Sequence, residues 1–115
     1  MIPGETRIMN KQGKRTGLDG QLRVAGGQFL KQLRNHVGIT QKELADKLDL
    51  NYYTMISQIE AGSSRVPPNL FVAYAKALNV DEVLFTKKLM EFYDPYTYLA
   101  LFGRTKISIN ELIGL

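Results

Sequence analysis

Directed chemistry is within reach of Tyr53, Thr54, Ser57 and Gln58, which fall within one short stretch of this sequence. At a helical repeat they fall on or near the side opposite Ile56 and Ile59, and none of them is charged. The Gln58 carboxamide presents a donor and an acceptor side by side, the pair that an adenine edge accepts. Thr54 offers a methyl for thymine or a hydroxyl for a base edge, and the Ser57 hydroxyl can pair with several acceptors. This is the chemistry of reading base edges in a nucleic-acid groove. The same residues also suit a helix face that meets only water, and Tyr52 and Tyr53 are large enough to belong to a core instead.

Anion-binding positions bracket this stretch. Gln41 opens a helix, where free backbone N–H groups and the helix dipole favour a phosphate oxygen and the side chain can add a donor. Ser63, Ser64 and Arg65, followed by a helix start at Pro68-Asn69, form a second anion-friendly edge, and Tyr52 completes the expected phosphate-binding set. The plainer alternatives are ordinary capping by Gln41 and a simple surface charge at Arg65.

Other chemistries lack their residues. The chain has no Cys and a single His, His36, so it cannot assemble a structural zinc site, a disulfide framework, a thiol nucleophile or a Ser-His relay with a spare His. His36 suits the end of a helix, where the dipole favours its cation. Asp46, Asp49, Asp81 and Glu82 include no pair that would face across a cleft, and Gly26-Gly27 lacks the Lys and Ser or Thr of a phosphate loop. No catalytic residue, metal or cofactor is expected, and an enzyme is not.

The 115 residues, 13.0 kDa, suit one domain with tails. Hydrophobic residues make up 44% and charged residues 23%, the proportions of a chain that folds. Fifteen Lys and Arg against eleven Asp and Glu give +4 and a pI near 9.4, which permits a polyanionic partner without demanding one. No stretch approaches the roughly 20 apolar residues needed to cross a bilayer and no secretory leader is visible, so the expected location is cytoplasmic.

The elements that would position these residues are helices. Residues 1–25 carry scattered charge, several glycines and no apolar period, and read as a flexible basic arm, able to lie along phosphates or simply to be solvated. Phe29, Leu30, Leu33 and Val37 then predict a first helix over 27–37. Thr40 and Glu43 have capping-box spacing and begin a second over 41–48, with Leu44, Ala45 and Leu48 inward. A third runs from Tyr53 or Thr54 to Ala61 and stops at Gly62. A fourth opens at Pro67-Pro68 and buries Leu70, Tyr74, Ala77 and Leu78. A fifth, capped by Asp81, reaches Tyr93. Residues 96–102 suit a strand or a helix, as do those after Ser108. The expected organisation is the arm, a helical domain over 26–93 and a C-terminal extension over 94–115.

Two short helices joined by a tight turn have helix-turn-helix proportions. The stretch from Phe29 to Val80 resembles the phage-repressor-type helix-turn-helix of the XRE (xenobiotic-response-element) family, with the likeness spanning about residues 28–85. It is carried by Arg34, Gln41, Leu44-Ala45, Ile56, Ile59, Glu60-Ala61-Gly62, a Pro after the loop and Ala77-Leu78-Asn79-Val80. One residue more than the commonest family pattern separates the second and third helices, within Leu50-Asn51-Tyr52. The resemblance assigns base reading to Tyr53, Thr54 and Gln58 and backbone contact to Gln41, and it implies a partly buried ion pair between Arg34 and Glu60.

The resulting expectation is an all-α, five-helix domain that binds double-stranded DNA in a sequence-specific way as a transcriptional regulator, with repression the expected sign. Few base contacts from one small module imply a homodimer on a two-fold operator. Its interface is expected within Leu84–Phe102, where Phe85, Met90, Phe92, Tyr93, Tyr96, Tyr98, Leu99 and Phe102 are apolar; packing within one subunit is the alternative. A second reading is an antitoxin or phage-type accessory protein that binds a partner through this aromatic segment and touches DNA for autoregulation.

Overall fold

A computed structural model describes residues 17–114. Among them are seven α-helices, a 3-10 turn and no strand. The helices are α1 (Gly17–Val37), α2 (Gln41–Lys47), α3 (Thr54–Ala61), α4 (Phe71–Ala77), α5 (Glu82–Tyr93), α6 (Pro95–Phe102) and α7 (Ile109–Ile113), and the 3-10 turn Pro68–Leu70 precedes α4.

Local rules account for most boundaries. The Glu43 N–H donates to Thr40 Oγ1 at 3.0 Å while the Thr40 N–H donates to Glu43 Oε1 at 2.8 Å, closing the capping box that starts α2. These bonds, the Thr40 backbone bond first, hold the Glu43 carboxyl below its ordinary pKa. Ser108 and Glu111 repeat the device at α7, and Asp81 caps α5 through the Leu84 N–H at 2.9 Å.

Helices α2 and α4 end alike. After Leu48 and Leu78 the chain enters the left-handed region at Asp49 (φ 59°) and Asn79 (φ 58°), residue types that tolerate it. The N–H groups of Leu50 and Val80 then return to the carbonyls of Ala45 and Ala75 at 2.9 and 3.0 Å, which satisfies the helix ends and folds both apolar side chains back toward the core.

Two expectations change. The first helix begins at Gly17, ten residues earlier than its apolar period indicates, and Arg23 is buried, so 17–25 are helix rather than arm. The remainder of the expected arm, residues 1–16, lies outside the described residues. Pro67-Pro68 leads into a 3-10 turn before the fourth helix. Residues 96–102, which suit either strand or helix by sequence, are helical; α1 to α5 are the five helices expected of the domain, and α6 and α7 lie in the extension.

The core gathers Leu30, Leu33, Leu44, Ile56, Ile59, Val66, Tyr74, Leu78, Phe85 and Leu89 from α1 to α5, each essentially inaccessible. Tyr74 stacks on Phe85 with centroids 5.7 Å apart, and Phe29 meets Phe92 at 5.6 Å. The apolar segment expected as an interface divides: Phe85, Tyr93 and Tyr98 are buried within the chain, Met90 and Phe92 are half-buried, and Tyr96, Leu99 and Phe102 are exposed.

Gly26 and Gly27 form the notch by which α1 crosses this core. A Cβ at Gly27 would lie 2.6 Å from the Ile59 carbonyl oxygen and nearer still to that of Glu60, and one at Gly26 would press on Phe92 at 3.1 Å. Gly62 completes the contact from the other side: it closes α3 at φ 86°, and a Cβ there would meet Val24 Cα at 2.7 Å.

Candidate nucleic-acid interface

Helix α3 stands on Ile56 and Ile59, both fully buried, with Glu60 also inside. That anchoring turns the other side of the helix outward. Tyr53 is 53% exposed, Thr54 and Gln58 are exposed, and Ser57 is half-buried at the edge. Tyr52, just before the helix, is 77% exposed, so neither tyrosine joins the core. The four base-reading candidates therefore share one uncharged surface of donors, acceptors and aromatic edge. Met55, 36% exposed, belongs to it too. Sequence reasoning missed this residue because it is apolar, although its position three residues before Gln58 puts it on the same side.

Beneath this surface lies a buried polar knot. Arg34 Nε donates to Glu60 Oε2 at 2.7 Å, one Arg34 terminal nitrogen donates to Glu60 Oε1 at 3.0 Å, and the other reaches the Ile39 carbonyl at 2.8 Å. Two parallel bonds to one carboxylate are the strongest geometry available to an arginine. Arg34 is 8% exposed and Glu60 7%, and the bond to Glu60 raises the arginine pKa against the opposing pull of burial. The knot binds α1 to the end of α3. Gln41 joins it from the start of α2, its side-chain nitrogen donating to Glu60 Oε1 at 3.0 Å. Part of the Gln41 donor capacity thus holds α3, which leaves its second N–H for an outside acceptor. The Tyr74 hydroxyl is buried nearby without a hydrogen-bond partner, and burial pushes its pKa far up, keeping it neutral.

The second anion-friendly edge is less open than its sequence indicates. The Ser63 and Ser64 N–H groups both donate to the Gln58 carbonyl, at 3.0 and 3.2 Å, and the Ser63 hydroxyl donates to it as well at 3.2 Å. Asn69 is exposed in the 3-10 turn. Arg65, expected at phosphate, also has partners within the chain: its guanidinium lies 4.6 Å from the Tyr93 ring centroid and pairs with Asp94 at 3.4 Å. Its group is engaged within the chain. The partners, Tyr93 and Asp94, are too distant in sequence for local spacing to reveal.

Among the described residues, no group of three or more His, Cys, Asp or Glu could hold a metal ion, and no helix is long and apolar enough to cross a membrane. Residues 30–85 match the family model described as Helix-turn-helix and form a domain of that family. The match runs from within α1 to the first turn of α5 and contains the whole surface described above. No curated protein and no solved structure matches the chain.

Proposed function

Because residues 30–85 are an XRE-type helix-turn-helix, the DNA-binding module of transcription regulators, we propose that this chain is a sequence-specific repressor that reads the major groove with α3 and acts as a homodimer on a palindromic operator. The observation that carries this reading is the uncharged, exposed side of α3 rigidly seated on Ile56 and Ile59. A reader needs side chains that can bond to base edges on a firmly packed element, and the buried Ile56 and Ile59 beneath the exposed polar side of α3 support that reading. Tyr53, Thr54, Ser57 and Gln58 take the bases. Gln41, Tyr52, Ser63, Ser64 and Asn69 take the backbone on either side of them.

Selection of bound duplexes from a random pool tests the proposal. An enriched inverted repeat is the expected product. In the same selection Gln58→Ala loses preference at one base pair per half-site, about 1–3 kcal/mol of discrimination, while nonspecific affinity holds. A pool that stays random overturns the reading.

The exposed apolar side chains of α6, Tyr96 at 81% and Leu101 at 63%, support the second reading, a protein that chiefly binds a partner and contacts DNA for autoregulation. A stoichiometric companion retained through purification distinguishes it.

A further inference from the structure

Arg65 is the cation nearest in sequence to the second phosphate-binding edge, yet the molecule holds it back. Its terminal nitrogen donates to Asp94 Oδ2 at 3.4 Å, its plane rests against Tyr93, and its Nε is buried with no partner. Tyr93 is itself fixed: its hydroxyl accepts the Val66 N–H at 3.2 Å, and the guanidinium of Arg23 lies 5.2 Å from its ring centroid. The carboxylate of Asp94, by contrast, makes no helix cap on α6, and its one ionic partner among the described residues is Arg65. The pair is partly exposed, 31% for the arginine side chain and 44% for the aspartate, so the guanidinium has an open path outward once the restraint is removed.

We propose that Asp94, at the junction of α5 and α6, is a positioning residue for DNA binding: by holding Arg65 against Tyr93 it withholds one cation from the phosphate-binding edge and so sets the affinity and salt dependence of the complex. The inference rests on the DNA-binding reading and deepens it. It ties the helix that leads into the C-terminal extension to the loop that follows α3. Removing the Asp94 charge leaves the ring contact as the remaining hold on Arg65, and the unbonded Nε gains water or phosphate on leaving.

The readout is the slope of log affinity against log salt, measured for the selected duplex and for a random-sequence duplex of equal length. Each phosphate neutralised contributes about −0.9 to this slope. Asp94→Asn steepens it by about one such step on both duplexes, an added loss of roughly threefold between 50 and 200 mM salt. Asp94→Ser gives the same change without relying on the isosteric amide. Arg65→Ala alone leaves the slope at the wild-type value, and Asp94→Asn combined with Arg65→Ala returns to it. A destabilised fold alone does not produce that pattern. The inference is overturned if Arg65→Ala alone flattens the slope, if neither Asp94 variant changes it, or if the steepening survives loss of Arg65. Failure of the unmodified protein to bind either duplex overturns the DNA-binding reading, and the inference with it; binding with a slope indifferent to Asp94 overturns the inference alone.

Discussion

A single carboxylate organises the site at the scale of residues. Glu60 accepts from Arg34 twice and from Gln41 once, so three helices meet at two oxygen atoms. Burying these charges is favourable only while they remain paired. Removing one partner strands the other, at about 3–5 kcal/mol. Glu60→Ala is therefore expected to lower the thermal unfolding midpoint sharply, whereas equal midpoints for the variant and the wild type refute the pairing. The Arg34–Glu60 pair is legible in the sequence through its resemblance to a known family. The Gln41 bond is not, because nothing in local spacing tells that a residue at the start of α2 reaches a carboxylate 19 positions away. The contacts of Arg65 are hidden for the same reason. Its type and loop position suit phosphate, and only the fold brings Tyr93 and Asp94 to it.

Capping chemistry acts within four or five residues, so most helix boundaries of the domain can be read from the sequence. Thr40, Asp81, Ser108 and Gly62 all occupy the ends that their types suggest. Helix α1 is the exception among the elements. Glycine in a helix interior is unfavourable by roughly 1 kcal/mol relative to alanine, and Gly20, Gly26 and Gly27 obscure the signal of a helix that tertiary contacts hold in place. At Gly27 the missing side chain serves a close approach: the α3 carbonyls of Ile59 and Glu60 occupy the space that a Cβ needs. Gly27→Ala, which propensity alone ranks as stabilising, is expected to destabilise the domain, since two backbones must separate to admit one methyl. Chemical denaturation gives the sign directly. A gain in stability shows that α1 does not pack on α3 in this way. Because the displaced element is α3, the proposed recognition helix, the same variant is expected to lose DNA affinity.

The whole molecule poses a problem that neither residues nor single helices solve, namely what covers the surface left by α6. Within the apolar segment expected at an interface, Phe85 and Tyr93 serve the chain's own core, while Tyr96, Leu99, Leu101 and Phe102 are 36–81% exposed. Sequence could not divide them, because a core residue and an interface residue have the same composition and differ only in which chain supplies the neighbours. A two-fold dimer joined through these α6 residues fits the proposed operator symmetry, since it presents two copies of α3 to two half-sites. Leu101→Glu combined with Tyr96→Ser places a charge and a polar group on that surface without disturbing buried Tyr98. Sedimentation equilibrium is expected to find a dimer for the wild type and a monomer for the variant, with thermal unfolding nearly unchanged at protein concentrations where both are monomeric. Affinity for a full palindrome is expected to fall to that for an isolated half-site, because each α3 then binds alone. A variant that remains dimeric places the interface elsewhere, and a wild type that is monomeric at every concentration tested removes the two-fold assembly from the proposal.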